Sequence, residues 1–177
     1  MFSQVQLLQI KNMAMRILHV PGNYGGGILE MAIVADYHIP YEELKERCAQ
    51  IAGALKQTDE VFRNVRVNLI KWISDEQIVK EISSLPVLQM GRAFEDYGQY
   101  EMAAKQQKSI DELFRQLKLF YARSKLIIVL TDGEFEIAEV EKVKQYLNPF
   151  LKRKILLLKP KGDVHFGENI KMIEWEK

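Results

Sequence analysis

The sequence predicts an α/β fold: an open, three-layer, doubly wound and mostly parallel sheet of five or six strands, with helices on both faces. Three observations predict it. Apolar runs of strand length alternate with segments whose apolar residues recur at helical spacing. The run Ile127-Ile128-Val129-Leu130 is apolar at every position, as a parallel strand covered on both faces must be. The chain has 177 residues, 47% hydrophobic and 28% charged, which suits one ordinary core. No repeat, low-complexity tract or linker divides it, so 1–177 reads as a single domain with 1–27 as an amino-terminal arm.

The arm is open to two readings. Met13, Met15 and Ile17 alternate as in a strand, whereas Val5, Leu8 and their apolar neighbours allow a helix. Such an arm would cover a sheet edge or pair with a second copy of the chain. The glycine-rich "PGNYGGGI", Pro21 to Ile28, precedes a strand and lacks the Lys-Ser/Thr of a phosphate loop, so it reads as a turn. Ile28 to Asp36 is the first clear strand. In the helix that follows, Leu44, Cys48, Ile51, Ala52 and Leu55 form one face. Pro40 is expected at its first position, with Glu42 and Glu43 in its first turn.

Asn64 to Ile73 is a strand by residue type. Ser74 or Asp75 is expected to cap a short helix through Ile78, Val79 and Ile82. Leu85 to Tyr100 has a poor pattern and reads as a short strand or loop with helical pieces. Ser109 caps the next helix, with Glu112 three residues on and Ile110, Leu113, Phe114, Leu117, Phe120 and Tyr121 facing inward. After the strand at 127–130, a helix is expected over 136–153, with Ile137, Val140, Val143, Leu147 and Phe150 buried and Pro149 disturbing its last turns. "KILLLKP" is another strand, "GDVHFGEN" a loop, and "IKMIEWE" a final strand at a sheet edge.

Charge excludes some partners. With 25 basic and 24 acidic residues, the net charge is +1, which gives no long-range field to draw in nucleic acid or an anionic membrane. Lys152-Arg153-Lys154 is too short a run to change that. No stretch approaches the ~20 apolar residues of a membrane span, and the first residues lack the pattern of a secretory signal. The single cysteine, Cys48, permits no internal disulfide and suits a reducing compartment. A cytoplasmic protein is expected.

Two apolar strands end in aspartate, Asp36 and Asp132, each just before a helix. In a parallel sheet those ends share one edge, and ligands bind where the winding reverses. If the two strands flank that point, the carboxylates meet. At about 5 Å and an effective dielectric of ~20 they repel by roughly 3 kcal/mol. A cation, an arginine or a raised pKa must offset this.

"ILEMAIVADYHIP" followed by an amphipathic helix, with "KLIIVLTDGE" further on, resembles the von Willebrand factor A-type domain, which is Rossmann-like in architecture. The resemblance covers roughly 28–160. In that family the first strand ends in Asp-x-Ser-x-Ser, a later loop supplies a threonine, and a later strand ends in Thr-Asp-Gly. Together they hold a magnesium ion that takes a carboxylate from a partner protein. Here Asp36 and Thr131-Asp132-Gly133 match, but His38 and Pro40 stand at the serine positions, and Arg92 or Ala93 falls in the threonine slot. The resemblance therefore implies a degenerate metal site, with Asp36 and Asp132 as the surviving ligands.

The expected function is a non-enzymatic protein–protein interaction module without a cofactor, binding through Asp36, Tyr37, His38, Arg92, Thr131 and Asp132. Arg92, if it enters the crevice, would stand in for the cation; otherwise it is a surface charge. One alternative keeps magnesium at Asp36 and Asp132 and binds its ligand through the ion. A nitrogen–oxygen site for zinc or manganese would add His38; His19 and His165 are remote in sequence. A second alternative is a small metal-dependent hydrolase, although no phosphate loop and no second aspartate at Asp-x-Asp spacing accompanies either carboxylate. The implied partner is another protein, such as an ATPase or other assembly component, or a second copy. Tyr24, Tyr37 and Tyr41, with Phe94, Tyr97 and Tyr100, would form an aromatic rim if both groups reach that edge; the other reading folds half of them inward.

Overall fold

A computed structural model describes residues 1–19, 29–56, 65–80 and 92–176. The glycine-rich turn at 21–28, Ile82 and the stretch 85–91 lie outside the described residues. The fold is α/β, with a six-stranded sheet in the order β3-β2-β1-β4-β5-β6. The strands are β1 (Leu29–Asp36), β2 (Val65–Trp72), β3 (Ile78–Lys80), β4 (Leu126–Leu130), β5 (Ile155–Pro160) and β6 (Lys171–Trp175). All pairings are parallel except that of β3 with β2.

The helices among the described residues are α1 (Gln4–His19), α2 (Tyr41–Lys56), α3 (Tyr97–Ala104), α4 (Ile110–Phe120) and α5 (Val140–Leu147). Strand alternation sorts them into two layers. Met31, Ile33 and Ala35 of β1 face α1 and α2, together with Leu126, Ile128 and Leu130 of β4. Ala32 and Val34, with Ile127 and Val129, face α4 and α5.

The arm is a helix that belongs to the core. Ile10, Ala14, Ile17 and Leu18 are buried along one face of α1, at spacings of four, three and one. Ser3 and Gln6 satisfy each other's backbone: Gln6 N–H donates to Ser3 Oγ (3.1 Å), and Ser3 N–H donates to Gln6 Oε1 (2.9 Å). Phe2 packs edge-on against Trp175 at 5.4 Å. α1 thus covers α2 and the β6 side of the sheet.

Four expectations are corrected. Ser74 and Asp75 cap no helix. Residues 74–76 turn the chain into β3, which pairs antiparallel with β2 through Trp72↔Ile78 and Ile70↔Lys80. β-Branched Ile78 and Val79 suit that strand. The helix expected over 136–153 spans only Val140–Leu147, with a 3₁₀ turn at Leu151–Arg153. Its first residues are held extended because the Asp111 carboxylate accepts the N–H groups of Ala138 (3.0 Å) and Glu139 (2.8 Å). Ser109 also bridges Glu136. Phe120 and Phe150 are 68% and 64% exposed instead of buried. The buried stripe of α4 runs from Leu117 to Tyr121 and leaves Phe120 at its flank. Pro40 precedes α2, and its carbonyl accepts the Leu44 N–H at 2.9 Å.

Candidate functional site: a buried ammonium at the sheet's carboxyl edge

β1 lies between β2 and β4, and the winding reverses there: β2 and β3 extend one way, β4, β5 and β6 the other. Neighbouring loops part at such a point and leave a crevice at the strands' carboxyl ends. The register pairs Ala35 with Leu130, so the next residues, Asp36 and Thr131, stand side by side. Both share the parity of Val34 and Val129 and point toward the α4 layer. The Thr131 hydroxyl donates to Asp36 Oδ2 at 2.5 Å, and both residues are wholly buried.

Asp36 Oδ1 accepts the His38 N–H at 2.8 Å and lies 2.5 Å from Lys108 Nζ. The Lys108 side chain is as inaccessible as the carboxylate. Its ammonium also donates to the Trp72 carbonyl (2.8 Å) and lies 4.6 Å from the centre of the Trp72 ring. A buried charge pair is tolerable only when its remaining hydrogen-bonding capacity is met, and here both groups are well supplied. Burial lowers the Lys108 pKa from the usual lysine value, opposed by Asp36.

Local structure fixes Lys108. It directly precedes Ser109, the cap of α4, whose hydroxyl accepts the Glu112 N–H at 3.3 Å. The Asp75 carboxylate accepts the Ser109 N–H at 2.8 Å, and the Lys108 carbonyl accepts the Glu136 N–H at 2.9 Å. Contacts on both sides therefore aim the lysine under the crevice.

Asp132 has a more open setting. Its side chain is 28% exposed, and Oδ1 accepts the Glu134 N–H at 2.9 Å. Gly133 makes the turn at φ 81°, a conformation that favours glycine, and its N–H donates to Thr131 Oγ1 at 3.1 Å. His38 spans the two carboxylates. Its Nδ1 lies 3.8 Å from Asp36 Oδ1 and 3.7 Å from Asp132 Oδ1, and Nε2 lies 3.0 Å from the Gln106 carbonyl. Nδ1 is buried without a hydrogen-bond partner. Interaction with Asp132 raises the His38 pKa above its ordinary value, against burial and the Lys108 charge. Burial pushes the Asp132 pKa up, but His38 and the Glu134 N–H outweigh it and hold the carboxyl below its usual range. One atom each from Asp36, His38 and Asp132 lies within 4.8 Å of the others, close enough together to ligate a metal ion.

The structure thus brings Asp36, His38, Thr131 and Asp132 together. It does not bring Arg92, which is exposed on a 3₁₀ turn at 92–94; the cation against Asp36 is Lys108. Tyr37 is buried, stacked on Tyr97 at 4.6 Å, with its hydroxyl donating to Asp96 at 3.4 Å. Burial, then Asp96, raises its pKa. Asp96 also accepts from buried Lys71 at 2.7 Å. Phe94 is wholly buried as well, while Tyr41, Tyr97 and Tyr100 remain half-buried. Tyr24 lies outside the described residues. Lys108 and Trp72 are the functional residues that sequence reasoning missed. The one signal was indirect: two converging carboxylates require a cation.

Two cavities flank the crevice. One of about 400 Å³ lies over His38, Lys108 and Asp132. Another, of about 540 Å³, lies between the loop after β1 and α3. Fold and site define an α/β protein with a charged crevice at the carboxyl edge of a mostly parallel sheet. No family model matches the chain, and no curated protein matches it in sequence.

Proposed function

We propose that this chain is a von Willebrand A-like, protein-binding module in which the ammonium of Lys108 takes the place of a divalent cation. The observation that carries the reading is the fully buried contact of 2.5 Å between Lys108 Nζ and Asp36. The resemblance is supported by Asp36 and Thr131-Asp132-Gly133 ending adjacent strands at one edge. Magnesium fits these donors poorly. Asp36 Oδ1 already serves Lys108 and the His38 N–H, and Oδ2 serves Thr131. A dication about 4 Å from the ammonium would meet a repulsion of roughly 8 kcal/mol at an effective dielectric of 20. The metal-dependent reading draws on the unpartnered His38 Nδ1 between two carboxylates. The hydrolase reading draws less, because Asp36 is buried and committed to three donors, which makes it a poor base.

The partner surface is the edge around Asp132 and His38, and His38 also lines the neighbouring cavity with Tyr41 and Tyr97. Such aromatic groups with an exposed acidic neighbour suit protein recognition. A reducing, cytoplasmic setting suits the lone Cys48, whose thiol is buried and pushed up to about 12. Among the described residues no helix is long and apolar enough to cross a membrane.

The test compares three affinity baits: wild type, wild type with chelator, and Asp132→Arg. The reading expects the same prey with and without chelator, and its loss with Asp132→Arg. A prey released by chelator and restored by magnesium contradicts it.

A further inference from the structure

We propose that the cavity beside the crevice receives an arginine side chain of the partner; this rests on the protein-binding reading above. The cavity, about 540 Å³, is walled by Tyr37, Tyr41, Phe94 and Tyr97 and carries the carboxylates of Glu95 and Glu101. Its volume falls within the range of pockets that enclose a ligand group.

The walls are preorganised. The Tyr97 hydroxyl lies 2.6 Å from the carbonyls of both Tyr37 and Ile39, which ties α3 to the loop after β1. The Tyr97 ring stacks on Tyr37 at 4.6 Å and meets Tyr41 at 5.7 Å. A group entering here finds rings already ordered, so little entropy is lost in arranging them.

Charge selects the occupant. Glu95 and Glu101 are exposed, and the basic groups on the described wall are Lys105 and the part-buried His38, whose ring nitrogens lie against the Gln106 carbonyl and between the two crevice aspartates. The Tyr97 pKa is pushed up to about 12, first by burial and then by the charges of Asp36, Glu101 and Asp132, which act together on the ring. One face of this aromatic group already attracts a cation: Lys45 Nζ lies 5.7 Å from the centre of the Tyr41 ring. An apolar side chain would fill the walls but make no contact with the carboxylates beyond displacing their water. An arginine serves both, since its planar guanidinium stacks on tyrosine and reaches a carboxylate through two N–H groups.

The test is a titration of the ¹⁵N-labelled protein with N-acetyl-arginine methylamide, against the uncharged citrulline analogue of the same shape. Shifts of the Tyr41, Tyr97, Gly98 and Glu101 amides are expected with the arginine compound. The citrulline analogue should bind at least about threefold more weakly, and Glu101→Gln should weaken arginine binding by a similar factor. Glu101 is exposed on α3, and an unchanged spectrum of the free variant verifies its fold. No shifts up to ~50 mM, equal binding of citrulline, or an indifferent Glu101→Gln overturns the assignment. If those results come with a prey still lost on Asp132→Arg, only the arginine pocket fails. If the arginine shifts appear but the prey needs a metal, the parent reading fails instead.

Discussion

Asp36 and Asp132 end neighbouring strands of one sheet, yet their surroundings differ. Asp36 is sealed: both oxygens are engaged by Lys108, Thr131 and the His38 N–H, and none of its surface reaches solvent. Asp132 is more than a quarter exposed and accepts the Glu134 N–H, with the His38 ring beside it. Adjacent carboxylates at a sheet edge therefore need not share one task. The sealed one ties β1 to β4 and to the residue before α4, and the open one is left facing the cavity over the crevice.

That contrast can be broken by removing one partner at a time. The largest effect is expected for Lys108→Met, which leaves a buried carboxylate without its counter-charge. A loss of about 3–5 kcal/mol in urea unfolding is expected. Adding Asp36→Asn to Lys108→Met should recover part of it, since neither charge is then stranded. A loss below about 1 kcal/mol for the single change would mean that Asp36 is not sealed by the lysine.

Next comes Thr131→Val, which keeps the shape and removes a hydrogen bond to a buried charge. About 1.5–3 kcal/mol is expected. Asp132→Asn should cost less than about 1 kcal/mol, because the carboxylate is partly exposed and its partial burial offsets part of what His38 and the Glu134 N–H contribute. Its clearer sign is on His38, whose pKa should fall toward 6.5 when the carboxylate that raises it is gone; histidine NMR measures this. The sign for stability follows. A folded pKa above the unfolded value contributes fully below about 6.5 and is lost as pH rises through the folded value. Wild type should therefore lose a small stabilising contribution over that interval, and Asp132→Asn should lose less. The smallest effect belongs to Arg92→Ala, within about ±0.5 kcal/mol, as for an exposed residue.

The sequence revealed much of this architecture and the acidic half of the site. β4 was legible because a strand buried on both faces has no polar position, and α2 because its stripe repeats at helical spacing. Asp36 and Asp132 were legible because parallel strands place all their carboxyl ends on one edge. The errors arose where distant contacts overrule local pattern. Val140 to Leu147 is cut short as a helix by Asp111, a carboxylate on another helix. The 78–80 segment becomes a strand through pairing with β2. α1 carried a readable mark, Ser3 with Gln6 three residues on, beside an ambiguous apolar pattern. Lys108 had none of its own: in "KQQKSIDEL" it is one of two lysines before a helix cap. The Asp75 and Glu136 contacts turn it inward.

The central claim is that Lys108 makes a divalent ion unnecessary at this crevice. Calorimetric titration of the wild-type protein with magnesium tests it most directly, with manganese as a second ion. No binding tighter than ~100 μM is expected for either. Binding below that concentration, abolished by Asp132→Ala, would contradict the claim and place an ion at Asp132 beside the ammonium.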